Sequence, residues 1–245
     1  MDIQLERERG AANHYFLVGA ALAFQLDIHW RYDAEAQPDR ARLGADTLAV
    51  EGLAAEAADH AVDFLNRTLL LEGRWDELRP PDAGTLRGNW LPRARLAQLR
   101  GDAALAWAAI RWLLPRGAAE APGEAMFHQA VELQQVAVAL ALQDRDPPAA
   151  RPWLEAHDRW LTWGEAVCWQ SERHALWALY HQQRGGFAAA RSHADRALAH
   201  ATEPRQPLAL LAAHRLLGDL DTETGHYTDA ATHLAEALAL SLIHI

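Results

Sequence analysis

No lysine occurs in this sequence, and all 23 basic side chains are arginine. That absence removes the phosphate-binding loop with its lysine, the Schiff-base lysine and the catalytic-lysine site. Cysteine is nearly missing too. Cys168 is the only one, so no internal disulfide can form and a thiolate zinc cluster is excluded. The strand formers Val, Ile, Tyr and Phe are sparse, whereas alanine and leucine dominate. Both lose little side-chain freedom in a helix, so the composition predicts an all-α chain. The stretch Met1 to Gly10 is charged and lacks the apolar run of a signal peptide. The longest apolar run near it, Leu17 to Phe24, is far too short to cross a bilayer. A cytoplasmic location and no membrane partner are expected.

What is present points to a packed protein. Half of the chain is apolar, enough to bury a substantial core. The formal net charge of -10 repels phosphate backbones and anionic lipid heads. No nucleic-acid partner is therefore expected for this segment.

Two stretches match at a shift of forty residues. In the later one, Leu217-Gly218 is followed by Gly225, Tyr227, Ala230, Leu234, Ala237 and Leu238. In the earlier one, Trp177-Ala178 is followed by Gly185, Phe187, Ala190, Ala194, Ala197 and Leu198. The glycine should end a first helix in a left-handed conformation, where it has no Cβ to clash. The aromatic two residues on is expected to plug the gap between the helices. The alanines at 190 and 230 should let the second helix approach the first, and Leu198 and Leu238 should face the next pair. Forty residues earlier Arg145 takes the glycine's place, with Ala150, Leu154 and His157 in register and Pro147-Pro148 opening the second helix. Gly101, with Ala106 and Ile110 behind it, marks the turn before that. Gly73 to Leu78 has the look of one more turn, and 13–30 and 41–71 have helical patterns with a faint repeat signature. Five or six antiparallel pairs are expected in all.

This spacing resembles the tetratricopeptide repeat, with a longer loop between repeats at Thr202 to Pro207. A closer resemblance lies in Trp153 to Leu161, Ala199 to Leu210 and Ala213 to Gly225. These segments are similar to the repeat region of LuxR-type bacterial regulators and MalT-like signalling ATPases. The similarity covers most of residues 87–240. It implies a right-handed superhelix of helix pairs, an α-solenoid, set in the parent regulators between a nucleotide-binding domain and a helix-turn-helix. Neither flanking module is present in this sequence. The organisation expected is a weakly repetitive helical part at 1–86, tetratricopeptide-like repeats at 87–240 and a non-native tail at 241–245. Leu240 to Ile245 is similar to the in-frame translation of a transposon-end adapter used in sequencing, so the natural chain is expected to run on, with a natural apolar C-terminal tail as the alternative. Ala237, Leu238, Ala239 and Leu240 would then form an uncapped apolar edge, open to self-association.

Several residue groups could carry chemistry, and each has a plainer alternative. Three histidine pairs lie seven apart: His174 and His181, His193 and His200, His226 and His233. Two helical turns separate such partners by about 10 Å, too far to share a metal. Packing or surface histidines are the preferred reading, and no metal or cofactor is expected. Cys168, with Trp163, Trp169 and His174 nearby, lacks a base supplied by any motif and is read as a buried inert thiol. Trp153, His157, Trp160 and Gly164 share a helical stripe that could form an aromatic cage, but packing between helix pairs accounts for it. Arg87, Arg93, Arg95 and Arg100 form the one basic cluster and are read as a solvated helix face. Asp144 and Asp146 fit turn chemistry, and Asn66-Arg-Thr68 is a glycosylation pattern without force in a cytoplasmic chain.

The resemblance places the binding groove along the first helices. Its exposed lining is expected to include Arg95, Gln98, Glu132, Gln135, Glu172, Gln182, Arg215, Asp219 and Glu223. A lysine clamp for a peptide carboxylate is excluded. A protein segment or a small inducer is the expected partner. The chain is thus expected to be a non-catalytic sensor module of a transcription regulator, with a free-standing protein-binding scaffold as the alternative.

Overall fold

The computed structural model describes residues 69, 74–77 and 90–242. The expected helices at 13–30 and 41–71, the glycosylation pattern, Arg87 and the last three residues of the tail lie outside these, apart from Leu69, which is helical. Among the described residues there are eight α-helices and no strand. They are α1 (Trp90–Leu99), α2 (Ala103–Leu113), α3 (Phe127–Gln143), α4 (Pro147–Trp163), α5 (Gln170–Gln183), α6 (Phe187–Thr202), α7 (Pro207–Thr224) and α8 (Tyr227–Leu242). Trp75–Glu77 form a single 3-10 turn. The chain divides within α1 into two compact units, Met1–Leu96 and Ala97–Ile245.

In the second unit one turn is used four times. Gly101, Arg145, Gly185 and Gly225 have φ of 78, 55, 72 and 83°. Each is followed by a residue whose N–H donates back five positions: Asp102 to Ala97 O, Asp146 to Ala141 O, Gly186 to His181 O and His226 to Asp221 O, at 2.7–2.9 Å. This closes the last turn of one helix and starts the next at once. The same four residues then accept the first bond of the new helix, from Ala106, Ala150, Ala190 and Ala230. Asp102 and Asp146 add a side-chain cap at 3.0 Å. Arg145 thus occupies the glycine position in the left-handed conformation itself, and Pro147 opens α4 at its first turn.

The returning helix lies antiparallel to the one before. Ser171 Oγ at the start of α5 donates to Ala197 O near the end of α6, at 2.9 Å. Small residues set the approach: Ala106, Ala150 and Ala190 are fully buried and Ala230 nearly so. A Cβ on Gly218 would stand 2.7 Å from Leu234 Cγ. Beyond the pairs α3–α4, α5–α6 and α7–α8, each first helix also touches the next one, α3 on α5 and α5 on α7. Leu198 of α6 packs under α7, in clusters with Leu216, Leu217 and Leu210.

Two expectations about packing are corrected. Phe187 and Tyr227 do not plug the gap between helices; they are 39 and 70% exposed. Each is the first residue of its helix and projects outward, and the inner position falls one turn on, at Ala190 and Ala230. The apolar end of α8 is only half open. Leu238 is exposed, but Ala237 and Leu240 are buried, Leu240 beside Ala201, Ala209 and Leu210.

No heavy atom lies within 4 Å of the position a Cβ would take on Gly225, so the backbone conformation alone sets the cost of a side chain there. Gly225→Val should lower stability by about 1–2 kcal/mol, and Arg145→Gly should raise it by up to about 1 kcal/mol. Denaturant titration of both variants checks the turn register; a valine without effect would overturn it.

Candidate functional site

The expected groove residues sit on the first helix of successive pairs. Arg215, Asp219 and Glu223 recur every fourth residue along α7 and are all exposed, so they share one face. Glu132 and Gln135 on α3, and Glu172 and Gln182 on α5, are half-buried. Arg95 on α1 is exposed. Gln98 is not a groove residue: it is 5% exposed, because it continues the buried stripe of Leu91, Ala94 and Ala97 at helical spacing.

A ladder of histidines lies between α5 and α6. His174 and His193 meet Nδ1 to Nδ1 at 3.1 Å. His174 also faces His200, with ring centroids 5.4 Å apart, and His193 faces His181 at 5.4 Å. Trp177 lies alongside, 5.9 Å from His181 and 6.1 Å from His193. Its indole N–H donates to Asp158 of α4, at 3.1 Å to Oδ2, and Arg173 Nε donates to the same carboxylate at 2.8 Å. Burial pushes the His174 pKa down to about 4, helped by the charges of His193, Arg173, His200 and Arg196. Burial and His181 lower His193 as well.

A second contact of the same kind joins α7 to α8. His214 and His233 meet Nδ1 to Nδ1 at 3.0 Å. Burial first, and then His233, lowers the His214 pKa, while Glu236 opposes the shift. Asp221, buried on α7, is ion-paired with Arg191 of α6, and its Oδ2 stands 4.0 Å from His233 Nε2.

The meaningful histidine pairs are therefore nineteen residues apart and cross between helices, not seven apart along one. The forty-residue shift carries the signal that could have found them, since it maps His174 onto His214 and His193 onto His233. His226 is exposed at the turn, beside Thr224 Oγ1 at 2.9 Å. Among the described residues no three His, Cys, Asp or Glu side chains are arranged to hold a metal ion.

The aromatic stripe is packing. Trp160 is fully buried, and its N–H donates to Glu120 O at 3.2 Å. Phe127 fills the space beside Trp160, Trp163 and Trp169. Trp153 lies against Trp107, with centroids 5.9 Å apart. Cys168 is half-buried rather than buried. Of the basic cluster, Arg93 is half-buried and Arg95 and Arg100 are exposed.

No helix among the described residues is long and apolar enough to cross a membrane. No family model matches the chain, and no curated protein or solved structure matches it either.

His157 generates the sharpest test of this region. It is 1% exposed on α4, and burial pushes its pKa from 6.5 down to about 4, with Arg173 adding to the shift and Asp158 and the Val131 carbonyl opposing it. The unfolded chain therefore binds a proton between these two pH values that the folded one refuses. Stability is full above pH 6.5 and falls as the pH drops toward 4. His157→Leu should hold its neutral-pH stability and show a shallower fall over that window. Urea unfolding at several pH values measures it, and an unchanged slope would refute the assignment.

Proposed function

We propose that this chain is a non-catalytic binding and sensing module of the kind found in LuxR-type and MalT-like regulators. It takes a protein segment or a small polar inducer along its first helices. The observation that carries this reading is the stacking of α3, α5 and α7 side by side, each bearing polar side chains of the expected groove. On α7 the exposed face alternates in charge, Arg215 and then Asp219 and Glu223. Such a surface offers donors and acceptors of both signs, which suits a partner chosen by hydrogen bonding and charge pattern rather than by apolar area. The net charge of -10 disfavours a polyanionic ligand.

Two measurements test the reading. Sequencing the source locus outward on both sides should find a nucleotide-binding domain before this segment and a helix-turn-helix after it. A gene with neither would move the assignment to a free-standing scaffold. In the protein, alanine at Arg215, Asp219 and Glu223 together should change stability by no more than about 0.5 kcal/mol per site. The same triple variant should weaken binding of the adjoining regulator domain at least ~10-fold in calorimetry, the loss expected for about 1.4 kcal/mol. Undiminished affinity would place the binding face elsewhere.

A further inference from the structure

The two histidine contacts are copies of one device. His174–His193 and His214–His233 are related by the forty-residue shift. Both meet through Nδ1, at 3.1 and 3.0 Å, with centroids 5.3 Å apart in each and ring planes inclined at 45 and 42°. In both, the centroid separation exceeds the nitrogen separation by nearly the sum of the two ring radii. The Nδ1 atoms therefore point almost head-on at each other. Two rings ligating one metal would aim their lone pairs at a point beside that line; the head-on arrangement is that of an N–H···N hydrogen bond.

Proton bookkeeping follows from the geometry. A neutral imidazole has one N–H and an imidazolium two. In a neutral dyad one ring must carry its hydrogen on Nδ1 and the other on Nε2. A first added proton goes to Nε2 of the donor ring and leaves the bridge intact. A second must go to the accepting Nδ1. Two N–H groups of two cations would then face each other along the same line, and parting of the rings relieves this. Because the rings belong to different helices, the helices part with them.

We propose that the two dyads form a duplicated acid-sensitive latch, which holds α5 to α6 and α7 to α8 with one proton on each Nδ1–Nδ1 line and opens when both rings of a dyad are protonated. Around the first dyad the surroundings do not neutralise the second charge. Around the first dyad stand Arg173 and His181 of α5 and Arg196 and His200 of α6. The one carboxylate that α4 brings, Asp158, is already engaged by Arg173 and Trp177. Around the second dyad stand Glu236 of α8, Asp221 of α7 and Arg191 of α6; Asp221 Oδ2, 4.0 Å from His233 Nε2, offsets charge on that ring but lies off the Nδ1–Nδ1 line and leaves the head-on contact of two Nδ1–H groups unrelieved. Glu236 opposes the lowering of the His214 pKa that burial and His233 cause. The latch lies beyond the ligand-binding proposal and holds whether or not the first helices bind a partner.

The full chain, labelled with 15N at histidine, tests this by long-range 1H–15N spectra and by hydrogen exchange between pH 7.5 and 4.5. At neutral pH one ring of each dyad should be the Nδ1–H tautomer. On acidification, exchange in α5 to α8 should speed up beyond its intrinsic pH dependence, by up to ~10-fold per pH unit for each proton taken up on opening. Exchange in α3 and α4 should follow only the single proton of His157. His193→Asn and His233→Asn keep a side-chain nitrogen and oxygen near the Nδ1 position without a titrating ring. Each should flatten the response of its own helix pair and leave the other's intact. His193→Phe and His233→Phe serve where an asparagine variant does not fold. Ordinary Nε2–H tautomers in all four rings would overturn the latch. So would asparagine variants whose exchange keeps the wild-type pH slope.

Discussion

A positive φ at the end of each first helix is the constraint on which the second unit depends. At 101, 145, 185 and 225 the chain leaves a helix through the left-handed region and donates back five residues from the next position. The last carbonyls of the old helix are satisfied by that bond, and the new helix begins with no intervening loop. The chain can only return along the helix it has just left. Five residues past each left-handed turn comes a buried alanine, Ala106, Ala150, Ala190 or Ala230. A larger side chain there would hold the two helices apart just where the turn forces them together. Turn and alanine are thus one specification, and Arg145 shows that the conformation matters more than the residue type that adopts it.

Forty-residue equivalence also organises the polar interior. Position 181 of one pair corresponds to 221 of the next, and the occupants have opposite character. His181 adds a ring to the first ladder, whereas Asp221 is a buried carboxylate held by Arg191. The same place in the scaffold discourages charge on one histidine dyad and offers an acid to the other. Asp221 also ties α6 to α7, so the second and third pairs of the unit are joined by a charged contact as well as by leucine packing.

The pairs of the second unit were legible because their determinants are local: a glycine, an alanine five residues on, and prolines where helices begin. These act through the backbone and need no knowledge of what lies opposite. The histidine contacts were not legible in the same way. A spacing of seven stands out along one chain, but a contact across two antiparallel helices depends on which faces meet, and nineteen is no helical period. Gln98 was misplaced for a related reason: the repeat register put it on the groove, while its spacing from Leu91 and Ala94 puts it on the buried stripe. Phe187 and Tyr227 were misplaced because an aromatic side chain in a helix's first turn leans outward, before there is a preceding turn to cover.

Packing strength is uneven along the unit, and this gives the histidines their weight. Between α3 and α4 the buried side chains are large, among them Leu133, Leu154, Trp160 and Leu161. Burying each such group contributes about 1.5–3 kcal/mol, and one hydrogen bond more or less there changes little. The buried face of α6 consists of Ala190, Ala194, Ala197 and Ala201. A buried methyl contributes only about 0.8 kcal/mol, comparable to the roughly 0.5–1.5 kcal/mol net of a hydrogen bond. Where the apolar contribution is this small, one Nδ1–Nδ1 contact is a large fraction of what joins the pair. The close approach set by alanine brings the two rings within hydrogen-bond distance, and it also leaves their bond with little else to compete against. The consequence of protonating both rings is therefore greatest at α5–α6, where the alanine face of α6 leaves the Nδ1–Nδ1 contact the least apolar support.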